Sequence, residues 1–330
     1  MILKLAAVLW VLVLCAGSSA ADWEKLPPLP EPNGGFTAVA DSGGITVIGG
    51  TNWMNDEKLW LRSITHFDPK KNRWDVREKI EHPVAYAVAS AHQSDDGTHQ
   101  SPIMLGGSDG TRPAKAVAVI DTIKTAFVPT PALPDAIVLS AGGIIGGRFI
   151  VVGGGVDAAD FASFTRRTFA LDLKTRAITP LPDFTGAAFG MAASCVVSEE
   201  LLVFGGANFR ASDRTILNSA DAHAFSTSTK QWRRLTPLPL RLRGAAAVML
   251  DEHRAYIAGG FGGDPEAFHS EAFIYDTRTD TYAAATALPH AALVVLVKLD
   301  GWLYCLGGED RKKHRTDAAF RIRWKELLPR

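Results

Sequence analysis

The chain has 330 residues, of which 47% are hydrophobic and 21% charged, a balance that supports a sizeable buried core and excludes bulk disorder. Its 35 basic and 35 acidic residues give a formal net charge of zero, so no global field draws it to nucleic acid or to an anionic membrane, and an anionic partner must be held by local charge. The 30 Gly and 18 Pro favour an all-β chain, of a kind that often forms one domain at this length.

The N-terminus reads as a processing signal: Lys4 precedes the apolar run Leu5 to Ala16, and the small residues Gly17 to Ala21 follow. Cleavage is expected after Ala20 or Ala21, leaving residues 22–330 as one secreted or periplasmic domain. The run is too short to span a bilayer comfortably, so no stable membrane insertion is expected after cleavage. Cys15 leaves with the signal, and Cys195 and Cys305, each in an apolar strand of a different repeat, read as buried free thiols.

Along the rest of the chain, six apolar strands end in a double glycine: ITVIGG, PIMLGG, FIVVGG, LLVFGG, AYIAGG and LYCLGG. Their last glycines, Gly50, Gly107, Gly154, Gly206, Gly260 and Gly308, stand 57, 47, 52, 54 and 48 residues apart. Some twenty residues after each doublet comes an apolar or aromatic residue paired with another seven positions on: Phe67 with Trp74, Ile120 with Phe127, Leu171 with Ile178, Phe225 with Trp232, Tyr275 with Tyr282. Turn-rich tracts such as DPKKNR and DTRTDT lie between the members, the chemistry of a tight hairpin. Each repeat is predicted to be a four-stranded meander.

Double glycine, then an aromatic, then Trp at this spacing resembles the kelch repeat, whose period is roughly fifty residues. The resemblance implies an all-β, six-bladed β-propeller. The sixth repeat has Leu327 where an aromatic is expected, while Trp23 to Pro30 (WEKLPPLP) copies the skeleton of Trp232 to Pro239 (WRRLTPLP). The last blade is therefore predicted to combine one N-terminal strand with three C-terminal strands, Trp324 being a rival for the closing position. Closure pairs strand edges that an open array would leave exposed.

The connections at one mouth of a propeller channel form its natural pocket. Two sets of positions are expected there: residues after the double glycines (Thr51-Asn52, Ser108-Asp109, Ala207-Asn208, Phe261, Glu309) and residues before the innermost strands (His82, Asp135, Thr185, Arg243, His290). Their amides, carboxylates, imidazoles and guanidinium suit a polyhydroxylated or acidic ligand. The segment Gly308 to Ala318 (GEDRKKHRTDA) resembles the active-site loop of the N-acetylneuraminate epimerases, the sialic acid mutarotases. The Asn in Gly-Gly-Thr-Asn-Trp and in Gly-Gly-Ala-Asn-Phe resembles the cyclically permuted branch of that family. The loop departs from the family in its charged spacer, Asp310 to His314, where Gly and Pro are usual.

That resemblance implies an isomerase that interconverts anomers of an acidic sugar by acid/base ring opening, with Glu309 moving the proton and Arg315 holding the substrate carboxylate. Asn52, Asn208, Arg243, His82 and His290 are the candidate substrate-binding residues. The chemistry requires no metal or organic cofactor. The alternative is a non-catalytic propeller that binds carbohydrate or protein, since fold alone does not establish chemistry. A galactose-oxidase-like copper enzyme is a third reading, disfavoured because Tyr304-Cys305 lies inside an apolar strand. No metal site is expected: His92 and His99 flank Asp95 and Asp96 without clustered ligand spacing. The pattern does not fix an oligomeric state.

Overall fold

The computed structural model describes residues 22–41, 43–93, 100–111, 117–121, 126–129, 133 and 137–328. The expected signal segment, the tract holding Asp95, Asp96 and His99, and Asp135 lie outside these residues. The chain is all-β, and its main sheets are four-stranded and antiparallel, consistent with a kelch β-propeller. In the first, Thr37–Asp41, Gly44–Ile48, Ser63–Asp68 and Arg73–Lys79 follow one another as a meander. The second begins at Val88–Gln93, the third at Ala141–Ile145, the fourth at Ala193–Val197 and the fifth at Ala246–Met249, each in the same order. The sixth takes Leu293–Leu299, Trp302–Glu309 and Ala319–Arg323, then adds Glu24–Lys25 from the other end of the chain, with Glu24 opposite Arg321 and Lys25 opposite Phe320. Trp324 opens a short 3-10 helix, Trp324–Leu327, and does not extend the sheet.

Both sequence markers have a physical reason. The double glycines stitch each sheet to the next. The N–H of the second glycine donates to a carbonyl just before the next sheet's first strand: Gly50 to Val84, Gly107 to Ile137, Gly154 to Phe189, Gly206 to Leu242, Gly260 to Ala292 and Gly308 to Asn33, at 2.7–3.0 Å. The first glycine lies against that same carbonyl. A Cβ on Gly49, whose φ is +61°, would stand 2.1 Å from the Val84 oxygen, so only glycine fits. The residue pairs seven apart are direct cross-strand partners of the third and fourth strands, as in Phe67 opposite Trp74 and Phe225 opposite Trp232. Their rings meet at 5.1 Å in both cases.

The fourth-strand aromatics also latch each sheet to the one before it. Trp74 Nε1 donates to the Pro27 carbonyl at 3.0 Å, Trp232 Nε1 to Pro182 at 3.0 Å, and the Tyr282 hydroxyl to Thr236 at 3.0 Å. Trp23 Nε1 makes the equivalent bond to Ala287 at 2.8 Å, so it occupies the fourth-strand aromatic position of the sixth sheet. The core is divided among the spaces between neighbouring sheets. One cluster joins Val47 and Phe67 of the first sheet to Val297 and Tyr304 of the sixth, and another joins Ile48 and Ile64 to Val84 and Met104. Cys195 and Cys305 are buried free thiols, and burial pushes Cys195 up to about 12.

A girdle of backbone bonds ties the entries to the first strands. Tyr86 N donates to Gly35 O, Leu139 N to Tyr86 O, Met191 N to Leu139 O and Gly244 N to Met191 O, at 2.7–3.0 Å. All five residues have φ between +58° and +67°, so the left-handed backbone of Tyr86, Leu139 and Met191 belongs to this shared architecture. Among the described residues the girdle stops at the sixth sheet, where Leu293 pairs instead with Glu309 beside a β-bulge.

Candidate functional site

The first strands line a cavity of about 670 Å³. Its walls include many small residues, among them Ala38, Ala89, Ser194 and Ala246, with Leu293, Val295 and Leu296 from the sixth sheet. Its larger polar and aromatic groups include Trp53, Lys58, Trp60, Tyr86, Glu309 and Arg315, with Asp157 and Phe161 contributed after the third double glycine.

Glu309 is the last residue of the second strand of the sixth sheet, which runs through its double glycine before ending. Arg315 follows a turn in which Lys313 takes φ +58° and the His314 amide bonds Arg311 O at 3.1 Å. The two meet, with Arg315 Nη1 2.8 Å from Glu309 Oε2; the Arg315 side chain is 5% exposed and that of Glu309 29%. Arg315 also donates from Nε to Thr51 Oγ1 at 3.4 Å and from Nη1 to the His314 carbonyl at 3.2 Å. Its stem lies on Gly34, where an added Cβ would stand 2.4 Å from Arg315 Cδ. Two of the three guanidinium nitrogens are thus engaged within the protein, and the expected freely available carboxylate clamp is instead one half of an ion pair.

Beside the pair stands a hairpin, Thr51–Met54 with Glu57–Trp60, that springs from the first double glycine. Its register places Thr51 opposite Trp60 and Trp53 opposite Lys58. Side chains alternate along a strand, so these four share the face turned toward Arg315 and the cavity. Lys58 Nζ lies 4.9 Å from the Trp60 ring centroid and 4.7 Å from that of Tyr86, and the Trp60 and Tyr86 rings meet edge to face at 5.8 Å. Tyr86 Oη is 3.4 Å from Thr51 Oγ1. Burial opposes ionisation of this phenol, but the Lys58 ammonium, the hydrogen bond with Thr51 and the Arg315 guanidinium outweigh it and hold Tyr86 below its ordinary value. Trp53 Nε1 is buried without a hydrogen-bond partner.

The five candidate substrate-binding residues do not line this cavity. Asn52 points to the other face of the hairpin, and its Oδ1 accepts the Trp53 amide at 2.7 Å. Asn208 spends its Nδ2 on the Ala188 carbonyl at 2.9 Å. Arg243 stacks 4.5 Å from the Phe261 ring and donates to Asn218 Oδ1 at 2.6 Å. His82 is 64% exposed beside Glu81, because the chain is still crossing from the outermost strand and reaches the mouth only at Tyr86. The His290 ring packs 5.8 Å from Phe320, with Nε2 3.4 Å from the Gly307 carbonyl; burial lowers its pKa, the Gly307 bond and Asp310 opposing. Thr185 is likewise exposed and away from the cavity. Sequence reasoning missed Lys58, Trp60 and Tyr86. The alternation Thr51, Trp53 and Lys58, Trp60 was the available signal for the hairpin, and the intervals of 51, 53, 52 and 53 residues along Gly35, Tyr86, Leu139, Met191 and Gly244 were the signal for Tyr86.

Glycine-ended strands in four-stranded meanders are the pattern of kelch-type repeats. A family profile described as the Kelch motif matches residues 190–239. The chain is 22% identical over 277 residues to Kelch-like protein 36 of Bos taurus, covering 83% of this chain and 43% of that relative. It is 30% identical over 145 residues to Kelch-like protein 35 of Mus musculus, covering 44% of this chain and 22% of that relative. It is 24% identical over 229 residues to the N-acetylneuraminate epimerase of Salmonella enteritidis PT4 (strain P125109), covering 59% of this chain and 58% of the relative. The chain therefore spans less than half the length of the two kelch-like relatives.

Proposed function

We propose that the chain is a closed six-bladed kelch propeller that binds a small acidic sugar, of the class of N-acetylneuraminate, at the mouth of its channel, and that it acts after export. The closed ring is supported by contacts that run through both chain ends: the Glu24–Lys25 strand against Ala319–Arg323, the Gly308 to Asn33 stitch, and the Trp23 and Trp74 latches. Export is supported by Lys4 and the apolar run after it.

The single observation that carries the binding reading is the buried Arg315–Glu309 pair opening on a 670 Å³ cavity beside Lys58, Trp60 and Tyr86. Cations, a hydroxyl and aromatic faces converging in a concave site are the chemistry that holds a carboxylate-bearing sugar. Similarity to kelch-like proteins favours binding without turnover. Similarity to the N-acetylneuraminate epimerase, together with the Glu309 to Arg315 spacing, supports a second reading in which the bound sugar is also isomerised. In that reading a group at the mouth takes the anomeric hydroxyl proton as the ring bond breaks, the ring oxygen takes a proton from water or a protein acid, and the reverse steps close the ring on the other face.

One pair of measurements tests both. Calorimetric titration with N-acetylneuraminate is expected to saturate at one site per chain, and NMR exchange spectroscopy reads the anomer-exchange rate in the same sample. Saturation with exchange no faster than in buffer supports the binding module, and acceleration supports the isomerase. Absence of saturation and of acceleration overturns the sugar-acid assignment.

A further inference from the structure

We infer that the acid group of the ligand is held by Lys58 and the Tyr86 hydroxyl, on the hairpin side of the mouth, and that Arg315 with Glu309 forms the fixed floor beside them. The inference rests on the sugar-acid reading for the identity of the ligand, and on the geometry of this wall for the place of its charge.

Arg315 is committed. Its charge is matched by Glu309 at 2.8 Å, and its Nε and Nη1 are bonded to Thr51 and His314. Lys58 has the Tyr86 hydroxyl as a neighbour but no counter-charge among the described residues. Its ammonium is half-buried over the Trp60 and Tyr86 rings and has no ion-pair partner among the described residues. Two nearby carboxylates are spent elsewhere: Asp56 pairs with Lys313 at 3.1 Å, and Glu309 with Arg315. A partly desolvated ammonium gains from an anion more than a paired guanidinium does, because the paired charge is already compensated. The Tyr86 hydroxyl lies next to it, 3.4 Å from Thr51 Oγ1; Thr51 spends its own proton on the Gly34 carbonyl, so the Tyr86 O–H donates to Thr51 until a ligand binds and then turns to the acid group. The Trp60 face beside Lys58 offers the apolar platform on which a sugar ring stacks.

The position of Lys58 gives the subsite a rigid frame. The residue lies in a two-strand hairpin whose register is fixed by four cross-strand pairs, Thr51–Trp60 through Met54–Glu57, so the ammonium and the Trp60 ring are presented together. Tyr86 is fixed independently by the girdle, its amide bonded to Gly35 O at 2.8 Å and its carbonyl accepting from Leu139 N at 3.0 Å. Little ordering remains to be done when the ligand arrives.

The test titrates wild type, Lys58→Gln and Tyr86→Phe with N-acetylneuraminate and with its methyl ester, which keeps the ring and hydroxyls and removes the charge. Lys58→Gln is expected to weaken the acid at least tenfold and the ester less than twofold, and Tyr86→Phe to weaken the acid three- to tenfold. Equal losses for acid and ester, or unchanged acid affinity in Lys58→Gln, overturn the subsite. If the wild type binds neither sugar, the sugar reading fails by itself. Acetate then serves as a bare carboxylate, read by NMR of 13C-dimethylated lysines: a Lys58 signal that moves saturably supports the subsite, and one that follows the solvent-exposed lysines refutes it.

Discussion

Replacing Glu309 by Gln puts a number on the pair at the centre of the mouth. The substitution keeps the side-chain shape and an acceptor oxygen but leaves the Arg315 guanidinium, 5% exposed, without its counter-charge. Two charges about 4 Å apart at an effective dielectric near 20 attract by roughly 4 kcal/mol. Releasing Glu309 from its own partial desolvation returns some of this, and the amide oxygen retains a weaker bond, so a net loss of about 2–3 kcal/mol is expected. For a domain of this size that corresponds to a fall of about 3–5 °C in melting temperature. Urea unfolding followed by intrinsic fluorescence measures it. The double variant Glu309→Gln, Arg315→Met should recover at least half of the loss, because it removes the orphaned charge as well. A Glu309→Gln variant within about 0.5 kcal/mol of wild type, or a double variant no better than the single one, would refute the view that the pair is electrostatically coupled in the fold.

Four further outcomes follow from the same geometry. Gly49→Ala, whose Cβ would stand 2.1 Å from the Val84 oxygen at a φ of +61°, should cost about 2 kcal/mol or more in urea unfolding, whereas Gly146→Ala, with nothing within 4 Å, should cost only its backbone strain of about 1 kcal/mol. Trp23→Ala should lower the melting temperature by several degrees through loss of the Ala287 latch, and an unchanged midpoint would count against an N-terminal closing strand. Asp41 is buried, which alone would raise its pKa, but bonds from His66, Thr46 and the Gly43 amide bring it from 3.8 down to about 2. Its contribution, about 2 kcal/mol, is present above the unfolded pKa and lost as pH falls through about 2; Asp41→Asn should remove that part of the acid-unfolding slope. Cys195 and Cys305 should resist a thiol reagent at pH 8 in the native state and react on denaturation, since burial raises both; fast native reaction would contradict their burial.

The fold was legible where a local backbone requirement repeats. Each double glycine is demanded by the same close carbonyl, and each aromatic pair by the same hairpin register, so both recur in the sequence at the period of the sheets. The N-terminal strand was legible for a similar reason: Trp23 copies Trp232 because both latch to the preceding sheet. The site was legible only in part. Glu309 and Arg315 stood out through a local spacing, but Asn52 missed the cavity by one residue because strand side chains alternate, and Trp53 took its place. Tyr86 occupies a position defined by φ and a backbone bond, filled elsewhere by Gly35, Leu139, Met191 and Gly244, so residue type carried no signal.

The interruption of the girdle explains why the ion pair sits where it does. In the first five sheets the second strand ends before its double glycine. In the sixth the strand continues through Gly307 and Gly308 to Glu309, because Leu293 pairs with Glu309 in the ladder. The Glu309 backbone is thereby fixed on one side by the first strand of its own sheet, while Arg315 is anchored from behind by Thr51 and Gly34 of the first sheet's approach. The pair therefore spans the junction between the sixth and first sheets. A perturbation of that junction, such as loss of the Gly308 to Asn33 stitch, should move Glu309 relative to Arg315 and weaken ligand binding before it unfolds the chain. Asn33 accepts from Gly308 through its backbone carbonyl and donates from Nδ2 to the Gly49 carbonyl at 2.8 Å; Asn33→Ala keeps the first bond and removes the second, which fixes Asn33 at this junction, so ligand affinity should fall at temperatures where circular dichroism remains native, and affinity that changes only with global unfolding would show that the junction and the site are independent.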